Sequence, residues 1–484
     1  MFWEEGISIS DKKDVEPDSS ELPVRPALRD RLYDRSRIDW DHLLFSGQDL
    51  KKLLLPLMFE QLLTSFMGMA DTMMVSRIGS EAISAVSLTD SISVLIIQVL
   101  TALAAGGSIL CSHYIGHGDK KSTLAAARQV LLVVTVVSVV VSVICAAGRG
   151  FLLRLIFGSV EPEVMTNAEI YFLLSAFSYP FVGLFEAGGA LFRAGGNSKF
   201  HMEVSVLSNL LNIAGNAMLI FVFRWGVFGA ALSTLLSRVL SAVIIVIALR
   251  LPGQAIVVRH YLDIRPDWHL IRKILYIGIP AGIENGMFQF GKLAIQSSVS
   301  TLGTIAIAAQ AMAILFENLN GIMAMGIGIG LMTIVGQAIG AGRKEEAAYY
   351  IVKVTGYAEI VLTVSCLVVY LAAGPATWLA GMEPESAKLC MQMMLFITIV
   401  KPLVWTLSFI PAYGMRGAGD VRFSMIVSSI TMWGCRVVLC TLLIRFFGFG
   451  PIAVWIGMGL DWTIRGICFT IRFLSKKWQT QSIA

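Results

Sequence analysis

The chain has 484 residues, 56% of them hydrophobic and 15% charged, with a mean hydropathy of +0.73. A soluble globule has roughly a quarter of its residues charged, so this composition excludes one and points to a polytopic membrane protein. The net charge of +5 comes largely from loop lysines and arginines and carries no argument for a nucleic-acid partner.

Residues 1–47 form a polar tail, with Asp11, Lys12, Lys13, Asp14 and Glu16 near its start. It has no apolar h-region, so no cleavable signal peptide is expected, and the tail is expected to be disordered or interfacial. From there, breaks at Gly, Pro and charge clusters mark twelve apolar spans. Their limits are near 51–76, 83–108, 127–148, 167–190, 200–222, 227–250, 270–298, 304–333, 351–373, 388–412, 421–446 and 449–473. Helices are expected, because lipid leaves the backbone only helices or closed barrels, and these runs are too long for barrel strands.

The loops set an orientation. Those after even-numbered spans carry Lys120, Lys121, Arg128, Arg250, Arg259, Arg265, Arg272, Lys273, Arg343 and Lys344, whereas those after odd-numbered spans carry few bases. By the positive-inside rule the even loops and both termini are expected in the cytoplasm. The seven cysteines mostly lie inside apolar runs with no C-x-x-C spacing, which supports neither a disulfide framework nor a zinc site.

An internal repeat decides the architecture. With an offset of about 224 residues, Pro56 falls on Pro280, Glu60 on Glu284, and V-S-R-I-G-S-E-A-I-S-A-V (75–86) on V-S-T-L-G-T-I-A-I-A-A-Q (299–310). The loop Y-I-G-H-G-D-K-K (114–121) falls on A-I-G-A-G-R-K-E (338–345). One residue less of offset places F-R-A-G-G-N-S-K-F (192–200) on M-R-G-A-G-D-V-R-F (415–423). Six helices followed by six in the same orientation make a parallel repeat, and substrate sites in such proteins lie between the halves near the midplane. The expected division is therefore a bundle over 48–262 and a second over 263–484 with a short cytoplasmic tail.

These landmarks resemble the multidrug and toxic compound extrusion (MATE) family over roughly residues 48–475. They are D-T-M-M-V-S-R-I-G (71–79), the paired Gly-x-Gly loops, and the R-A-G-G and R-G-A-G loops. The resemblance implies two six-helix bundles around a V-shaped cleft and export of amphipathic, often cationic compounds in exchange for H+ or Na+. It implies no ATP site, and no G-x-x-x-x-G-K-[ST] loop is present.

An ionised Asp at the centre of a membrane helix costs about 2.5–3.5 kcal/mol on insertion scales, so such groups tend to face a cavity and mark a pathway. Asp71, in the first span, is therefore the leading candidate, and burial would favour its neutral, protonated form. The competing reading places it at the outer end of its span, in contact with interfacial water. The resemblance implies a cation site of Asp71 with Asn212, Asn216 and Thr234. Spacing of four puts the two asparagines on one helix face. Asn216 stands where the family pattern has Asp, which makes the site less acidic and leaves H+ and Na+ both open, with Na+ held at Asp71, Asn212 and Asn216 if it is used. The repeat places Ile295, Cys435 and Leu439 opposite Asp71, Asn212 and Asn216, so coupling is expected in the first half alone. Pro56, by removing a helical hydrogen bond, is the expected bend of that helix. Glu60, Glu284 and Asp90 are secondary candidates among the embedded acids.

The expected function is secondary antiport in the plasma membrane, with a small-molecule substrate, the lipid bilayer as solvent, no cofactor and no obligate protein partner. A flippase of lipid-linked oligosaccharide or another lipid shares the architecture and is the alternative, kept open by Lys292, Arg436, Arg238 and Lys401. An intramembrane enzyme is not expected, because most of the six histidines lie in loops or the tail at no metal-ligand spacing.

Overall fold

The computed structural model describes residues 32–158, 161–259, 261 and 263–480. Twelve long helices follow one another: α1 (Gly47–Ser76), α2 (Ser80–Gly116), α3 (Lys120–Ala147), α4 (Pro162–Ala194), α5 (Ser198–Val222) and α6 (Gly226–Ala248), then α7 (Trp268–Val299), α8 (Thr304–Gly340), α9 (Lys344–Leu379), α10 (Pro384–Gly417), α11 (Val421–Phe447) and α12 (Ile452–Leu474). All but α7 are long and apolar enough to cross a membrane by length and composition. The 32-residue α7 carries Arg272, Lys273, Glu284 and Lys292 and takes the place of α1 in the second half. A short helix, Arg149–Phe157, lies between α3 and α4 and was not expected from the sequence; it exposes Phe151, Leu155 and Ile156.

Local chemistry sets the helix starts. Ser46 and Asp49 form a capping box at α1, and Asn197 and Asp267 cap α5 and α7. Asp119 caps α3, and its bonds from the Ser122 hydroxyl and amide hold its carboxyl below the usual range. The helices outrun the expected spans. At 37 residues, α2 and α8 are each about 55 Å long, well beyond the ~30 Å of a hydrocarbon core. Apolar length located the part of each helix in lipid but not the extensions that pack against protein.

Contacts repeat with the sequence. In the first half α2 packs on α4, α4 on α6, α3 on α4 and α1 on α5; in the second, α8 packs on α10, α10 on α12, α9 on α10 and α7 on α11. The halves meet through α1 against α8 and α2 against α7, a pair of contacts that the repeat interchanges, and through α2 against α8. The protein is thus an all-helical, multi-pass membrane protein of two six-helix bundles.

The two Gly-x-Gly loops explain how the halves close at the end that carries the Lys- and Arg-rich loops. A methyl group on Gly116 would lie 2.0 Å from the Gln337 carbonyl oxygen, and one on Gly340 would lie 2.1 Å from that of His113. Each first glycine therefore lets α2 and α8 touch backbone to backbone. Each second glycine, Gly118 and Gly342, turns the chain at φ +76°, where a side chain would be strained. Nearby, Gln337 Nε2 donates to the Ala194 carbonyl at 2.8 Å.

The described part of the N-terminal tail is docked on the second half. Tyr33, Ile38 and Phe45 join the core of the second half. The amide of Leu44 donates to Glu346 at 2.6 Å and that of Phe45 to the Tyr350 hydroxyl at 2.8 Å. Residues 1–31 lie outside the described residues.

Candidate functional site

Between the halves lies a cavity of about 960 Å³. Its walls come from α1, α2 and α4–α6 on one side and α7, α8 and α10–α12 on the other. Aromatic side chains include Phe185, Phe288, Trp405, Phe409, Tyr413 and Trp462. Met325 also lines it.

The four residues expected to form a cation site gather beside this cavity rather than on its wall. Asn216 Nδ2 donates to Asp71 Oδ1. Asn216 is fully buried, and its own Oδ1 has no hydrogen-bond partner among the described residues. Asn212 lies one turn earlier and turns instead to α6, donating to Thr234 Oγ1 at 3.1 Å, while Ser233 Oγ donates to the Asn212 carbonyl at 2.8 Å. The spacing of four therefore yields two different bonds, one to α1 and one to α6. Asn216 is also the last α-helical residue before a π-helical segment, Ala217–Val222, a local unwinding often found at functional sites.

Two more groups complete the cluster. Asp90 of α2 and Arg238 of α6 lie close enough to Asp71 for their charges to act on it, and Tyr171 of α4 sits among all three. Arg238 also donates to Ser178 Oγ at 2.7 Å and lines the cavity. It is the residue shared by the acidic cluster and the cavity. Sequence reasoning placed Arg238 only with the bases of the alternative function and did not name Tyr171. The available signal was Arg238 at four residues from Thr234, hence on the same helix face.

Pro56 lies inside α1 one turn before Glu60, and its missing N–H frees the Lys52 carbonyl. It stands 15 residues, about 22 Å along the helix, from Asp71, so no direct contact links them.

Glu60 and Glu284 occupy equivalent places in a repeated ion-pair motif, apart from the Asp71 cluster. Glu284 accepts from Arg416 at 2.6 Å and from Ser424 Oγ at 3.4 Å. The repeat carries Arg416 to Arg193 and Ser424 to His201. In the first half His201 Nδ1 is 2.9 Å from Glu60 Oε1, and Arg193 lies 3.2 Å from the same ring nitrogen. Glu60, His201 and Glu284 are buried and line the inner end of the cavity.

Comparison with known proteins agrees with this geometry. The MatE family model matches residues 56–218 and 280–442, two ranges offset by 224 residues at both ends. The chain is similar to the probable multidrug resistance protein NorM of Thermotoga maritima, 26% identical over 90% of this chain and 94% of the relative. It is also 25% identical to the uncharacterized transporter YisQ of Bacillus subtilis, over 89% of this chain and 94% of that one. A solved outward-facing multidrug resistance MATE transporter shares the fold, with a TM-score of 0.83 at 20% identity over 89% of this chain and 96% of the other. Since the family model covers both bundles and most of the chain, the chain belongs to the MatE family of multidrug efflux transporters; it is a membrane transporter of small molecules and not an enzyme.

Proposed function

We propose that the protein exports small amphipathic organic molecules across the plasma membrane by antiport against inward H+ or Na+, with both termini cytoplasmic and no bound cofactor. One observation carries the reading: a membrane-embedded carboxylate, Asp71, is held by a buried asparagine and connected through Arg238 to a cavity of substrate size. Protonation or cation binding at Asp71 changes the charge next to Arg238, and through it the wall that meets the substrate. A ligand shifts such an equilibrium only by its differential affinity for the two states, and a charge change at this position supplies one. The cross-bundle contacts at the end carrying the basic loops support an outward-facing state closed toward the cytoplasm. A lipid flippase is not favoured, because the relatives are named as multidrug transporters.

The test is efflux of a fluorescent organic molecule from proteoliposomes, with pH and sodium gradients imposed separately. Asp71→Asn preserves shape but fixes the neutral state, so gradient-driven transport should collapse while the protein still folds. Transport by Asp71→Asn equal to the parent would remove Asp71 from coupling.

A further inference from the structure

The cavity wall of the second half is more basic than its own carboxylates can balance. Lys292, Lys401, Arg416 and Arg436 line it, with Arg465 directly behind. Three acids answer them. Glu284 takes Arg416 at 2.6 Å. Glu317 takes Lys401 at 2.6 Å, and Asn320 Oδ1 accepts from the same ammonium at 2.5 Å. Asp461 serves two guanidinium groups, Arg436 at 2.6 Å and Arg465 at 3.0 Å. Five cations thus face three carboxylates. Lys292 is left with no hydrogen bond or ion pair among the described residues. It lines the cavity, lies within electrostatic reach of both Glu317 and Arg436 without bonding either, and is accessible to solvent.

A second observation points the same way. Gln310 and Trp462 line this wall, and Gln310 Nε2 and Trp462 Nε1 are buried N–H donors with no acceptor among the described residues. An excess of positive charge on a cleft with low-dielectric walls focuses its field into the cavity and favours an anionic ligand there, and Lys292, exposed and bonded to no carboxylate among the described residues, is placed to meet it. The bases are interleaved with ring faces. Arg436 lies 5.6 Å from the Phe288 ring and 5.7 Å from that of Trp462, and Lys401 lies 5.4 Å from that of Trp405. A planar apolar body can lie on such surfaces while a charged group at its edge meets Lys292.

We infer that Lys292 and Arg436 form a subsite for the anionic group, a carboxylate, sulfonate or phosphate, of an aromatic substrate. The inference deepens the transport reading above, which supplies the cavity's role, and narrows the cargo to organic anions and zwitterions.

Binding without any gradient tests this independently of coupling through Asp71. The full-length protein is placed in phosphatidylcholine nanodiscs and titrated calorimetrically with 2-naphthalenesulfonate and with 2-naphthyltrimethylammonium, which share a ring and differ in charge. The sulfonate should bind more tightly. Lys292→Gln should weaken it about tenfold, the scale of one lost charge-assisted bond, and leave the cationic probe within about twofold. Lys292→Arg should retain most of the sulfonate affinity. Melting curves matched to the parent establish that the variants fold. Tighter binding of the ammonium probe, an equal loss for both probes, or no loss in Lys292→Gln would overturn the inference. Displacement of the sulfonate by added phosphatidylglycerol would also overturn it, by giving the site to a lipid head group. Loss of coupling in Asp71→Asn leaves this result untouched, and a failed titration leaves the antiport reading standing.

Discussion

His113 of the first bundle donates from Nε2 to the carbonyl of Gly417 in the second, at 2.8 Å, and both residues are buried. The bond joins the ends of α2 and α10 where the backbones of α2 and α8 also touch. Opening the cavity toward this side must break it. His113→Phe keeps the bulk but leaves the Gly417 carbonyl without its donor, which costs about 1–3 kcal/mol for a buried group. The closed state should lose that much relative to the open one. Hydrogen–deuterium exchange should rise in peptides covering 108–118 and 334–342 and stay unchanged in α3 and α9. An unchanged pattern at the α2–α8 contact would mean that the glycine contacts alone hold it shut.

The glycines of one loop should behave differently from each other. Gly116→Ala places a methyl group against the Gln337 carbonyl, so the bundles cannot approach and transport should fall by an order of magnitude or more. Gly118 has open space around it and needs only its positive φ. Gly118→Ala should therefore cost about 1 kcal/mol of stability and spare transport. Transport assays and melting curves on the two variants check the contrast, and equal transport in both would refute the division of roles.

Much of this was legible because a duplicated chain shows its landmarks twice. Pro56 with Pro280 and the two Gly-x-Gly loops expose the offset without any knowledge of contacts, and apolar run length then fixes the spans. Arg193 and Arg416 appear in that comparison only as loop markers. Their pairing toward Glu60 and Glu284 crosses between helices, which spacing along one helix cannot reveal. His201 falls inside the span 200–222 and is given no role there, yet it is buried between Glu60 and Arg193. Polar neighbours in sequence say little about what a helix start packs against. Residues 32–46 show a related limit. Their composition is polar, but Glu346 and Tyr350 satisfy the backbone, and three scattered apolar side chains suffice to dock it. At the acidic cluster, Asp71 and Asn216 stand out as polar groups in apolar helices, whereas Tyr171 and Asp90 join only through the packing of α4 and α2.

Asn216→Asp tests which ion the cluster is built for. In the parent, Asp71 is bonded by a neutral amide whose own oxygen has no partner among the described residues, and the other carboxylate of the cluster, Asp90, acts on it only through its charge. Replacing that amide with a second carboxylate removes the donor and adds a charge of the same sign. Two carboxylates this close cannot both remain ionised without a cation between them. A sodium ion, which takes oxygen ligands, satisfies both, and Asn212 and Thr234 stand nearby on α5 and α6. Sodium-driven efflux should therefore rise severalfold in Asn216→Asp relative to the parent, at matched expression and with no pH gradient. The parent, in which Asn216 offers Asp71 no second carboxylate at bonding distance, should respond more strongly to a pH gradient than to a sodium gradient. Proteoliposomes carrying each variant, assayed under the two gradients separately, decide the matter. If Asn216→Asp gains nothing from sodium while Asp71→Asn still abolishes transport, the cluster is a proton site whose second position does not tune ion choice.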